Sequence, residues 1–297
     1  MQKTASVKKF ALASAVITLL STAPALAETS VWKVSKGDDY LYLGGTLHLL
    51  PESAFPLPAE FELAYNDADH LVQEAKLPEP DDQTAQIAMI NAMSYGNGEK
   101  LSDKLSPEVY QQLAAYFNQY GIQLSQLEGY KPSFVSLQML AIELQKLKMT
   151  GQGVDSYFDH RAKQDSKSLQ YLESIASQMA MLSTMGDGYE NEFIKLNLSQ
   201  ISEYKTYFDS MISAWRQGDL QQINSAIVQP VQQMNEQMYQ TMLVKRNLAW
   251  LPQIEQMFGN QQRELVLVGA GHLAGQDGVL SLLQAAGYEL HQLNVTQ

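Results

Sequence analysis

The strongest constraint on this chain is a local pattern repeated near its two ends: an apolar, strand-like run followed by Gly-x-x-His. Tyr40-Leu41-Tyr42-Leu43 leads to Gly45-Thr46-Leu47-His48, and Leu265-Val266-Leu267-Val268 leads to Gly269-Ala270-Gly271-His272. The chain has five histidines, and two of them occupy this one context. Imidazole titrates near neutrality and is the commonest protein metal ligand. A matched pair at strand ends points to one shared site. The fold must therefore bring the beginning and the end of the chain together.

The first 27 residues read as a secretory signal peptide. Lys3, Lys8 and Lys9 supply the positive region, Phe10 to Leu20 the apolar core, and Ala25-Leu26-Ala27 the small-residue cleavage signal before Glu28. A membrane anchor needs about 20 apolar residues; this run is shorter and is broken by Ser21, Thr22 and Pro24. No later segment is long and apolar enough to span a bilayer. The expectation is an exported protein, periplasmic first and secreted as the alternative, whose residues 28–297 form a single domain. With no cysteine, that domain has no disulfide, thiolate metal site or cysteine nucleophile, and relies on its core. The formal net charge is -12, and no cluster of Lys and Arg offers a phosphate-binding surface, so nucleic acid is not an expected partner.

Strand-like Val31 to Val34 and Tyr40 to Leu43, joined through Gly37-Asp38-Asp39, read as a hairpin. A helix is expected near Ala59 to Asn66 and a strand over His70 to Glu74, with Pro78 to Asp82 closing it. From about Thr84 to Phe258 the pattern is mostly helical. Ser106-Pro107-Glu108 starts one helix, with Val109, Leu113 and Phe117 on one face. Another starts near Pro132, and Asp155 is placed to cap a third. Ser168 to Glu173 interrupts the block as a strand. Val231, Met234, Met238 and Met242 share a helical face, read as core more readily than as a groove. Arg263 to Val268 is a strand, Asp277 to Ala286 a helix and Tyr288 to Val295 a last strand. The fold class is α/β: a mixed sheet built from both ends of the chain around a large helical block, about 84–258.

Ligands in open α/β sheets bind beyond the carboxyl ends of the strands. Four polar residues fall at such ends: His48, Glu74, Glu173 and His272. Gly45, Gly269 and Gly271 allow close backbone approach there. Two neutral imidazoles and a carboxylate make a set for a divalent transition metal with open positions, which would acidify bound water for hydrolysis. His70, His160 and His291 read as structural or exposed. Lys245-Arg246-Asn247 reads as a helix end whose basic residues favour the dipole. Zincin, nucleophile-elbow, Walker and dinucleotide motifs are absent.

Leu43-Gly44-Gly45-Thr46-Leu47-His48-Leu49-Leu50-Pro51 resembles the N-terminal motif of the TraB/GumN (PrgY-like) family, related to the Tiki proteases. Asp69 to Glu74, Gly153-Val154-Asp155, Leu172-Glu173-Ser174 with Gln178, Arg246-Asn247 with Trp250, and Val268 to Gly275 with Gly278 resemble its later blocks, in the same order. Ser174 stands where Thr is usual, and Ala75-Lys76 where a hydrophobic-acidic pair is usual. The resemblance implies a Tiki-like fold and a metal-dependent hydrolase acting on a peptide or protein substrate. His48, Glu74 and His272 would hold the metal (Mn, Co or Zn), Glu173 would relay protons, and Arg246 would steady an anionic group. Two other readings stay open: metal-free His/Glu hydrolysis of the erythromycin-esterase type, and a non-catalytic protein that binds a peptide or pheromone.

Overall fold

Six strands form one sheet in the order β4-β3-β5-β2-β1-β6. They are β1 (Val31–Lys36), β2 (Asp39–Thr46), β3 (His70–Gln73), β4 (Ser168–Tyr171), β5 (Glu264–Gly269) and β6 (Glu289–Gln292). The computed structural model describes residues 29–76, 79, 81–96, 98–149 and 151–295. The leader expected over residues 1–27, and Pro78, lie outside the described residues.

β1 and β2 form an antiparallel hairpin whose turn is Gly37-Asp38, with Gly37 at φ +66°, a conformation that costs glycine little. β2, β5, β3 and β4 run parallel to one another. Their carboxyl ends therefore open at a single edge. β5 lies at the centre and is apolar on both faces: Leu265 and Leu267 enter one core cluster, Val266 and Val268 the other. This explains its unbroken apolar run, since a central parallel strand has no solvent face. The two edge strands, β4 and β6, are short and alternate between exposed and half-buried residues, which limits edge-to-edge pairing.

Register settles the relation between the two Gly-x-x-His motifs. β2 pairs with β5 so that Gly45 lies opposite Val268 and Thr46 opposite Gly269. The start and the end of the chain are thus zipped side by side, and both motifs leave the sheet at the same point. Glycine is needed here for space, because none of these glycines has a positive φ. A Cβ on Gly44 would stand 2.6 Å from Leu267, and one on Gly271 would stand 2.8 Å from Ile227. Trp215, fully buried, donates its indole N–H to the Gly45 carbonyl at 2.7 Å and ties the helix Tyr204–Gln217 to the first motif.

One face of the sheet carries Phe61, Phe158 and Trp215; the other carries Trp250 and Ile254 from the helix Lys245–Glu255. The intervening helices build a third core of their own. There Val109, Leu113 and Phe117 meet Val135, Met139 and Phe193. Ser106 caps the helix Pro107–Asn118 by accepting from the Val109 N–H, as its sequence predicts.

Three expectations need correction. Asp155 does not cap the helix Val154–Gln164: Gly153 is the cap residue, and Asp155 sits in the first turn with its side chain directed elsewhere. The stretch carrying Val231 and the methionines is not one continuous face. Asn235, extended at φ -161°, breaks it and caps the next turn by accepting from the Met238 N–H. Val231 and Met242 then pack on the sheet-side core while Met234 joins the helical core, so the stripe is core rather than groove. Finally, Arg246 is not at a helix end. It lies in the first turn of Lys245–Glu255, which continues from the helical turn Gln240–Val244, so the C-terminal dipole does not explain its charge.

Candidate active site

The parallel edge collects His48 after β2, Glu74 after β3, Glu173 after β4, and Gly269 to His272 after β5. The loops after β3 and β4 are held together because the Glu173 N–H donates to the Glu74 carbonyl at 2.8 Å, extending the ladder one step past the strands. Arg246 rises into the middle of this group. Its Nε and Nη2 bind the Glu173 carboxylate at 3.1 and 2.7 Å, Nη2 also reaches Glu74, and Nη1 meets the Met242 carbonyl at 3.0 Å and His272 Nε2 at 2.8 Å. A guanidinium has five N–H donors, and the protein engages all three of its nitrogens in this way. Its planar back lies over Trp250, with the guanidinium carbon 4.7 Å from the ring.

Glu74 is buried and fully engaged. One oxygen accepts from the Gly269 N–H at 2.7 Å, and the other from Arg246 and from the Gln178 amide at 3.1 Å. Burial alone would raise this carboxyl. Its neighbours His272, Arg246 and His48, with the Gly269 N–H, more than offset that and hold it ionised. His272 is 5 % exposed, and its titration moves the opposite way. Burial, reinforced by the Arg246 charge, pushes it far below the ordinary imidazole range, so it is neutral at pH 7 and Arg246 is then the cation that holds Glu74 down. Hydrogen bonding fixes its tautomer. Asn247 gives its amide N–H to the Asp277 carbonyl at 2.7 Å and turns its oxygen to His272 Nδ1, leaving Nε2 as the acceptor from Arg246.

His48 is a different kind of histidine. Its Nδ1 donates to Asp155 Oδ2 at 2.9 Å, and the other Asp155 oxygen accepts from the Thr46 hydroxyl at 2.7 Å. Asp155 is buried, while 69 % of the His48 side-chain surface is open to water. The Asp155 carboxylate raises the imidazole to about 9. His48 also feels the charges of Glu74 and Arg246, and His272 feels that of His48, which puts both histidines at one cleft. Among these groups, His48 alone combines wide exposure with a ring nitrogen free of protein partners.

A groove of about 480 Å³ opens beside this centre, between the helix Ile175–Ser183 and the stretch from Thr241 to Trp250. Glu173, Gln178 and Arg246 form its inner end. His48 is not among its lining residues; Glu173 and Arg246 are what the groove shares with the centre.

The expected metal set meets this geometry only in part. His272 Nε2 and Glu74 Oε1 lie 3.8 Å apart, and the fixed tautomer leaves Nε2 unprotonated, the state a metal ligand needs, with its lone pair taken by Arg246. Arg246, however, stands where the expectation put the cation, and His48 gives its Nδ1 to Asp155. Among the described residues no group of three or more His, Cys, Asp or Glu side chains is arranged to hold a metal ion. As arranged, the donors fit a guanidinium. Arg246, expected to steady an anion, instead spends its donors on protein acceptors. Of the three glycines, Gly269 makes the close approach: its N–H binds Glu74, and a Cβ there would stand 3.3 Å from that carboxylate. Gly45 and Gly271 are pressed against protein.

Asp155, Thr46, Asn247 and Gln178 were not among the expected site residues. All four lie in the motif blocks, Thr46 in the first of them, but the motifs alone gave them no role, and Asp155 read as a helix cap.

The model of the TraB/PrgY/gumN family matches residues 30–292. The chain belongs to the TraB/PrgY/gumN family. Among curated members of similar sequence are the uncharacterized protein YbaP of Escherichia coli (strain K12) and its counterpart in Shigella flexneri. Each is 26 % identical over 252 residues, covering 84 % of this chain and 89 % of the relative. No solved structure matches the chain. The TraB/PrgY/gumN match runs from the residue before β1 to the last residue of β6, so it includes every residue of the cleft described above.

Proposed function

We propose that the chain is a hydrolase, acting on peptides, in which His48 is the general base. The observation that carries this reading is the Thr46–Asp155–His48 chain of hydrogen bonds at the edge where four parallel strands end. Neutral His48 takes a proton from water through Nε2 while Asp155 stabilises the imidazolium. The water oxygen bonds to the carbonyl carbon, the C–N bond breaks, and the proton passes from His48 to the leaving amine. Arg246 ties Glu74 and Glu173 together at the floor of the cleft. The test is turnover of a peptide library by wild type, His48→Ala and Asp155→Asn with a chelator present. Activity that survives in His48→Ala would sink the assignment.

A metal-dependent hydrolase is the second reading, favoured by the neutral His272 and the ionised Glu74 at 3.8 Å. His272, Glu74 and His48 would hold Mn, Co or Zn, which supplies Lewis acidity when bound; Arg246 would first have to move aside. Elemental analysis of the purified protein beside His48→Ala and His272→Ala distinguishes the two. Tight peptide binding without any turnover would instead support a non-catalytic binding protein. The leader sequence supports export to the periplasm, and N-terminal sequencing of protein from fractionated cells, starting at Glu28, checks it.

A further inference from the structure

The groove beside Arg246 contains one charged side chain that makes no ion pair among the described residues. Three charged residues line it: Glu173, Arg246 and Lys245. Glu173 pairs with Arg246 at 2.7 Å, and Arg246 is shared with Glu74. Lys245 is exposed and makes no ion pair among the described residues, in a chain whose formal net charge is -12. An isolated cation in an acidic protein, at the rim of the cavity that leads to the centre, is a local attractor for anions.

The groove wall adds a second preference. The helix Ile175–Ser183 is rich in apolar residues, yet Ser183 is its one buried residue. Ala180 and Met181 face the groove from this helix and the exposed Ala249 from the other side, while Trp250 behind them is already buried. Apolar side chains at such a wall are unspent: covering them would yield about 25 cal/mol per Å².

From these two features we infer that the groove binds a peptide segment carrying an apolar side chain and, beside it, a carboxylate paired with Lys245. Lys245 is then a specificity-determining residue for the hydrolysis proposed above, on which the inference rests. The carboxylate can belong to an Asp or Glu side chain or to a free peptide C-terminus; both present the same group to the ammonium.

The experiment uses the full protein and N-acetylated peptides with one position varied among Leu, Asp and Lys, each made with free and amidated C-termini. Cleavage and fluorescence anisotropy are both measured. Wild type is expected to favour the acidic peptides over the lysine peptides by roughly five-fold, a preference that shrinks with added salt because the pair is exposed. Lys245→Glu should reverse it, and Lys245→Met should erase it. If amidation removes the preference, the C-terminus is the source; if only the Asp position matters, the side chain is. His48→Ala should lose cleavage and keep the selectivity in binding. Charge-selective binding without cleavage would overturn the hydrolase reading and leave the groove assignment standing. Cleavage indifferent to peptide charge and to Lys245→Glu would overturn the groove assignment alone. No binding and no cleavage of any peptide would overturn both.

Discussion

Two histidines with the same sequence context end in opposite protonation states, and their surroundings make the difference. Asp155 accepts from His48 and favours its charged form, whereas burial, reinforced by the Arg246 charge, leaves His272 neutral. His48 works as a base only when unprotonated, so turnover is expected to rise with pH toward about 9. Asp155→Asn removes the charge that raises it, and the midpoint of the pH–rate profile should fall toward the ordinary value near 6.5. An unchanged midpoint would remove His48 from that role. His48→Ala should cost about 10²–10⁴-fold in rate. The raised pKa also makes His48 a stabilising group below about 6.5, with that contribution lost as pH rises through about 9. Water over its open ring keeps this small. His48, Glu74, Glu173 and His272 were legible in the sequence because a strand end is a local pattern. Asp155 was not, because its task is set by a residue 107 positions away.

Helices are positioned here as tightly as side chains. The helix Val154–Gln164 docks by its first turn on the loop after β2, where the Val154 N–H donates to the Leu47 carbonyl at 3.1 Å. Gly153 precedes it with φ -79°, which any residue adopts, yet a Cβ there would lie 2.1 Å from the His48 carbonyl oxygen. The glycine is thus a contact surface rather than a hinge. Gly153→Ala must push the helix away, and a loss of about 1–3 kcal/mol is expected from overpacking. The same displacement separates Asp155 from His48, so activity should fall further than thermal denaturation alone explains; wild-type turnover at a temperature where the variant is folded would refute this. Elements whose apolar period is unbroken, such as Pro107–Asn118 and the central β5, were readable from sequence. The segment around Asn235 was not. Its apolar spacing continues through a break in the backbone: Val231 and Met242, on either side, both pack on the sheet-side core, while Met234, directly before Asn235, joins the helical one.

At the scale of the whole molecule, Arg246 joins what the chain contributes from its beginning, middle and end: Glu74, Glu173 and His272 all meet on it. Removing a buried partner from such a set leaves uncompensated charge, at a cost of about 3–5 kcal/mol. Arg246→Met should show that loss in thermal unfolding at pH 7. Acid should unfold the wild type by the same network. His272 is held neutral when folded and accepts a proton when unfolded, so stability is present above about 6.5 and falls as pH drops below it. Glu74, held ionised, adds a second loss below about 4.5. In Arg246→Met the cation that keeps Glu74 ionised is gone, so that second loss should flatten and the two stability curves should converge in acid. A chelator decides how the centre is held. If Arg246 is its cation, chelation leaves the melting temperature of the wild type unchanged, and added Mn or Zn raises it only in Arg246→Met, where two carboxylates and a neutral imidazole have lost their partner. A wild-type melting temperature that drops on chelation would show instead that a metal, with Arg246 turned aside, occupies the meeting point of the four strand ends.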